Sequence, residues 1–193
     1  MAKRPSKIVV SPAANAAYAW LNTPDEGQEY SDGKYKITLC LTKGDPTVEA
    51  FIAQITEYSN DIAAKEFGKV PKILRMPFKD GDENKKEEFH GHWTITTKSK
   101  YQPGFIDDAK KPLPDGTYPM SGDMVRASFA LNPYETGGTK GVSGQLRNVM
   151  LMEKRNAGGG DDFADIAATE QSRGYDDDDD EFDISERLRC PYI

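Results

Sequence analysis

Apolar and polar residues alternate most clearly over residues 34–42, and a period of two marks a half-buried strand. Tyr35, Ile37, Leu39 and Leu41 face one way, whereas Lys34, Lys36 and Thr38 face the other, so this strand carries a basic outer face. Ile8-Val9-Val10 opens an earlier strand, an extended Ala-rich stretch leads to Trp20 and Leu21, and Asp32-Gly33 marks a turn. The period then changes. Val48, Phe51, Ile52, Ile55, Tyr58 and Ile62 recur at three- and four-residue spacing, which predicts one helix, capped by Asp45 with Pro46 in its first turn and ending near Phe67-Gly68. After a charged loop over 79–88, the strand pattern returns over 93–101. A loop rich in Pro and Gly is expected over 102–122. Two more strands, 124–131 and about 142–152, are expected to be joined by a loop over 132–140. Short strands, one helix and long loops predict a mainly β fold, a small, partly open barrel with the helix's apolar stripe as its plug.

Composition changes the picture at one place. Gly158-Gly159-Gly160 and Asp161-Asp162 break any regular element, and beyond them the chain is polar, with the acidic run Asp176 to Glu181. Such a block does not bury enough apolar surface to offset chain entropy, so the reading is a folded domain over 1–159 and a flexible, disordered acidic tail over 160–193. The net charge of −7, taken as a total, argues against a nucleic-acid partner. Its distribution reverses that. Residues 1–159 hold 22 Lys and Arg against 20 Asp and Glu, a net of +2, whereas 160–193 hold 3 against 12, a net of −9. No apolar run approaches the roughly 18–20 residues of a spanning helix, and no apolar segment follows the basic start, so neither a membrane nor a secretory signal is expected. Cys40 and Cys190 form no CxxC pair; a disulfide framework or zinc site is not expected, and a reducing cell interior is.

The basic positions recur on outer strand faces with aromatic residues among them. Lys34 and Lys36 share a face, as do Lys98 and Lys100; Arg126 lies opposite Val125, Ala127 and Phe129, and Lys140 and Arg147 lie before and on the last strand. Tyr18, Trp20, Trp93, Tyr101, Phe105, Tyr118 and Tyr134 are interleaved with them. Unpaired nucleic acid calls for this mixture, because cations neutralise phosphates and flat rings stack on bases. Trp93 shares a face with Ile95, so core packing competes with stacking there, and Tyr35 reads as core. Trp20, Tyr101 and Tyr134 sit at strand ends or in loops, which favours a ligand. Catalytic patterns are missing: the sequence has no GxxxxGK[ST], GxSxG or HExxH. His90 and His92 form an HxH pair, which needs third and fourth ligands to hold a metal, and neither a metal, a cofactor nor enzymatic activity is expected.

The segments fall in a telling order. Leu74-Arg75-Met76-Pro77-Phe78-Lys79-Asp80-Gly81-Asp82-Glu83, Phe89-His90-Gly91-His92-Trp93 and Lys100-Tyr101-Gln102-Pro103-Gly104-Phe105-Ile106-Asp107 are followed by Ser121-Gly122-Asp123-Met124-Val125-Arg126-Ala127-Ser128-Phe129 and then Lys140-Gly141-Val142-Ser143-Gly144-Gln145-Leu146-Arg147-Asn148-Val149. Over about residues 7–165 the chain resembles a phage family of single-stranded DNA-binding proteins, once a phage domain of unknown function and similar in design to the T7-type proteins. The resemblance implies an OB fold that binds single-stranded DNA with little sequence preference during phage replication, recombination and repair, in the cytoplasm of the infected host. It places the DNA face on the strand around Lys34 and Lys36, the strand from Trp93 to Tyr101, and Arg126. It also implies an acidic tail that engages replication or recombination proteins; the tail residues concerned are Asp176, Asp177, Asp178, Asp179, Asp180, Glu181 and Phe182. The tail is further expected to occupy the DNA groove as a polyanion mimic until DNA displaces it. Met124 stands where an aromatic ring is expected, and residues 183–193 continue beyond Phe182, where T7-type tails end. The competing expectation is an acidic-tailed protein-interaction or RNA-binding module with no preference for single-stranded DNA.

Overall fold

The computed structural model describes residues 5–26 and 32–155. The domain boundary expected at residue 160, the acidic segment beyond it and Cys190 lie outside the described residues.

Within them the chain is mainly β with one helix. In order come β1 (Lys7–Val10), β2 (Ala14–Trp20), β3 (Tyr35–Thr42), α1 (Pro46–Phe67), β4 (Lys79–Asp80), a 3-10 turn (Glu87–Phe89), β5 (His92–Ser99), β6 (Gly104–Ile106), β7 (Met124–Thr136) and β8 (Thr139–Glu153). They form one mixed sheet of eight strands in the order β1-β7-β2-β3-β5-β8-β6, with β4 added on β5. β7 also pairs with β8, so the pairings run from β7 through β2, β3, β5 and β8 and return to β7. β8 runs parallel to β5 and β6; the other ladders are antiparallel.

The alternation read in the sequence builds the core. Ile37, Leu39 and Leu41 of β3, Ile95 of β5, and Val125, Ala127, Phe129 and Leu131 of β7 are fully buried; Tyr35, grouped with them by pattern, is half-buried at the strand's start. Helix α1 adds Val48, Phe51, Ile52, Ile55 and Ile62. Its ends follow the expected chemistry. The Asp45 carboxylate accepts from the Thr47 N–H at 2.7 Å, and Gly68 closes the helix at φ 78°, a left-handed conformation open to glycine at little cost. No helix among the described residues is long and apolar enough to cross a membrane.

One expected loop is mostly strand, and another holds a short strand. Residues 132–140 continue the β7–β8 ladder to a two-residue turn at Gly137 (φ 56°) and Gly138 (φ 76°), the geometry whose twist matches a hairpin. Pro133 has no N–H for a ladder. Its partner Val142, however, sends its own N–H away to the Arg75 carbonyl at 2.9 Å, so Pro133 sits where no cross-strand bond is formed. Within 102–122, residues of β6 pair with Asn148–Met150 of β8, an edge too short to show as alternation.

The outer face of β3 is also less open than alternation suggests. Thr38 and Cys40 are buried, and burial, aided by the charge of Glu88, pushes the Cys40 thiol pKa up to about 11. The charged segment 79–91 is strapped to the sheet. β4 pairs with β5, Lys43 bridges the carboxylates of Asp80 and Asp82, and Asp82 accepts the Gly91 N–H at 2.6 Å.

Candidate nucleic-acid interface

Strand register brings distant residues into one row. Trp20 on β2 is opposite Lys36 on β3, Lys36 is opposite Lys98 on β5, and Lys98 is matched with Gln145 on β8. Residues paired in this way stand on the same face of a sheet. The neighbouring row holds Thr38 and Thr96, whose hydroxyls bond at 2.9 Å.

Along these rows runs a groove formed by two adjoining hollows of about 440 and 540 Å³ that share Thr96, Lys98, Ser143 and Gly144. Lys34, Lys100, Asn132 and Gln145 line the first, and Met76, Lys79 and Tyr134 line the second. The Tyr134 ring rests against Gly141, its cross-strand partner; a Cβ at Gly141 would fall 2.7 Å from three of its atoms, so only glycine leaves room for the ring there. Four lysines therefore face one groove. Lys98 is 2.7 Å from Asp32, and that hydrogen bond, with the charges of Lys98, Lys34 and Lys36, holds the Asp32 carboxyl below its ordinary range against the opposing effect of burial. Lys36, half-buried in the same row, is paired with Asp25.

The sequence-predicted residues divide accordingly. Lys34, Lys98, Lys100 and Tyr134 meet in the groove. Lys36 and Trp20 share its transverse row, with Trp20 41% exposed at the end, and Tyr101, 78% exposed, lies two residues beyond β5. Arg147 is exposed two residues beyond Gln145 on β8. The others stand elsewhere. Trp93 is half-buried, meets Phe78 edge-on at 5.6 Å and donates its indole N–H to Glu49 at 3.0 Å. Phe105 packs against the core. Arg126 lines a separate hollow between β1 and the start of α1. Lys140 lies over the Phe67 ring at 4.8 Å and 3.8 Å from Glu135.

Met76, Lys79, Asn132 and Gln145 line the groove but were missed. Asn132, which donates an amide hydrogen bond of 2.9 Å to Gln145, falls in the segment expected to be a loop, whereas Gln145 lies on an expected strand but is neither cationic nor aromatic. Tracing the hairpin's register through Pro133 would have found them. The His90 and His92 rings are hydrogen-bonded to backbone carbonyls, and no group of three or more His, Cys, Asp or Glu placed to hold a metal occurs among the described residues.

A family described as Enterobacter phage Enc34, ssDNA-binding protein, matches residues 6–182. The single-stranded DNA-binding protein of Escherichia phage T7 is 29% identical over 200 residues, covering 88% of this chain and 84% of that protein. Its namesake from Enterobacteria phage T3 is 28% identical over 178 residues, 77% of each. The solved structure of the single-stranded DNA-binding protein from bacteriophage Enc34 in complex with ssDNA superposes with a TM-score of 0.65 at 21% identity, over 79% of this chain and 89% of that one. Gp2.5, a single-stranded DNA-binding protein encoded by bacteriophage T7, gives 0.59 at 23%, over 82% and 96%. At these identities the structures establish a shared fold.

Proposed function

Since the chain belongs to the Enterobacter phage Enc34 ssDNA-binding protein family, we propose that it binds single-stranded DNA with little sequence preference along the β3–β5–β8 groove. One observation carries this reading: Lys34, Lys79, Lys98 and Lys100 converge on a groove that Tyr134 also lines. Cations lining one groove neutralise a backbone, and the rings of Trp20, Tyr101 and Tyr134 offer stacking worth about 1–3 kcal/mol per base. The closed circuit of pairings from β7 back to β7 supports an OB-like barrel as the scaffold.

The work of such a protein is to cover and protect single strands during phage DNA replication, recombination and repair in the host cytoplasm; no step requires catalysis. The acidic tail, residues 160–193, competes with DNA for the cationic groove and, once displaced, recruits replication proteins. Its charge of −9 against the body's +2 supports that role.

The test is a titration of single-stranded and duplex oligonucleotides with the full chain and with residues 1–159, at several salt concentrations. Tight binding to single strands is expected, with log K falling by about 0.7 per neutralised phosphate for each unit of log salt. Removing the tail should tighten it, most at low salt. Equal affinity for duplex and single strands would overturn the reading in favour of a protein- or RNA-interaction module. Affinity unchanged by tail removal would remove the competition alone.

A further inference from the structure

Beyond the groove lies another cavity, of about 280 Å³, lined by Asn22, Gln102, Phe105, Asp115, Thr117 and Tyr118 among others. Its position follows from the register already described. Trp20 ends the transverse row, and two residues later Asn22 forms one wall. Lys100 lines the groove, Tyr101 is exposed beside it, and Gln102 forms the next wall. The Gln102 amide nitrogen lies 3.5 Å from both the Leu21 and Asn22 carbonyls, tying the two walls together. The cavity therefore begins where the exposed rings Trp20 and Tyr101 leave off.

Its chemistry differs from the groove's. None of these six side chains is cationic, so the cavity is unsuited to phosphate. It is also too small for a stretch of strand. It offers two carboxamides, a carboxylate, two hydroxyls and the Phe105 ring. With the Gln102 nitrogen turned to backbone carbonyls, its oxygen remains an acceptor, and the Asp115 carboxylate is acceptor-only when ionised. Acceptors suit a base that bears an exocyclic amino group, which guanine, adenine and cytosine have and thymine lacks.

We propose that this cavity takes one unstacked nucleobase of the bound strand and favours an amino-bearing base over thymine. The protein would then read one position within an otherwise sequence-tolerant footprint. The inference rests on the single-stranded DNA reading above and adds a base-selective subsite to it.

The experiment uses the full chain and oligo-dT, alone or carrying a single dG, dA or dC at successive positions. At one position the amino-bearing base should tighten binding about three- to tenfold, the range of one net hydrogen bond. Gln102→Ala and Asn22→Ala should abolish that gain while leaving affinity for oligo-dT unchanged, so that the dT measurement also reports an intact fold. No gain at any position, or a gain that survives both substitutions, overturns the subsite. If the unaltered chain fails to bind oligo-dT, the single-stranded DNA reading itself falls.

Discussion

Two lysine-rich regions meet on β5 and use their charges differently. In the strap, residues 80–91, cations and anions satisfy one another: Lys43 bridges Asp80 and Asp82, and Lys86 lies over the Tyr18 ring at 4.3 Å, with Glu88 bonded to the Tyr18 hydroxyl. In the groove, Lys34, Lys79, Lys98 and Lys100 converge from different elements, and Asp32 on Lys98 is the only acidic partner seen for them among the described residues. A polyanion has little to gain at the first and much at the second. The two tryptophans repeat the contrast, Trp93 being locked against Phe78 and Glu49 beside the strap while Trp20 is open at the end of the groove's row. Composition alone does not separate such regions. Pairing does.

The largest effect expected from breaking the contrast is on stability. Trp93→Ala should cost about 3 kcal/mol of unfolding free energy by removing a packed ring and leaving Glu49 without its indole donor. Trp20→Ala should leave chemical denaturation nearly unchanged and weaken binding to single strands. If the two exchange effects, the assignment of rings to core and groove is wrong.

Next comes the salt dependence. Lys100→Ala should reduce the slope of log K against log salt by about 0.7, the share of one phosphate. Lys43→Ala, which removes the cation engaged by the strap's carboxylates, should leave that slope as it is. A slope that responds equally to both substitutions removes the distinction between engaged and available cations.

The smallest effect is with acid. The Lys43 hydrogen bond first and the Asp82 backbone N–H second hold Asp80 below the ordinary carboxylate range; the Gly91 N–H first and Lys43 second do the same for Asp82. Their contribution is therefore present above the unfolded carboxylate pKa of about 3.9 and is lost as pH falls through the lower folded values. Lys43 is shifted upward by the same pair, so its share persists below its unfolded pKa and disappears only when strong alkali passes the raised value. With Trp20→Phe, Trp93 becomes the single indole, 4.9 Å from the Lys43 ammonium, and its fluorescence reports strap release. Asp82→Asn should shift that acid transition; an unmoved midpoint would mean the strap is held by other contacts.

Much of this was legible in the chain. The stripe on α1, its Asp45 cap and Gly68 stop, and the inner face of β3 follow from periodicity, because burial on one side imposes it directly. Lys34, Lys98 and Lys100 were found the same way. What escaped depends on pairing between distant segments. Pro133 disguised a strand because the consequence of its missing N–H depends on where Val142 directs its own. Lys79 and Met76 reach the groove from a segment with no alternation of its own. Trp93 and Phe105 belong to the right stretches, but their rings are engaged by the core and its border.

The circuit of strands also dictates an order of assembly. The β7–β8 hairpin is local, turning at Gly137-Gly138, and it can form as soon as its own residues are available. The pairings that close the circuit on this hairpin are remote: Ala14 waits for Val125, and Thr97 for Gly144. A chain emerging from the ribosome therefore presents β2 and β5, on either side of β3, each with an open edge until the last hairpin arrives. During that interval those edges are free to pair with other chains. The rate at which the final strands are delivered thus sets how long each nascent copy is at risk of aggregation.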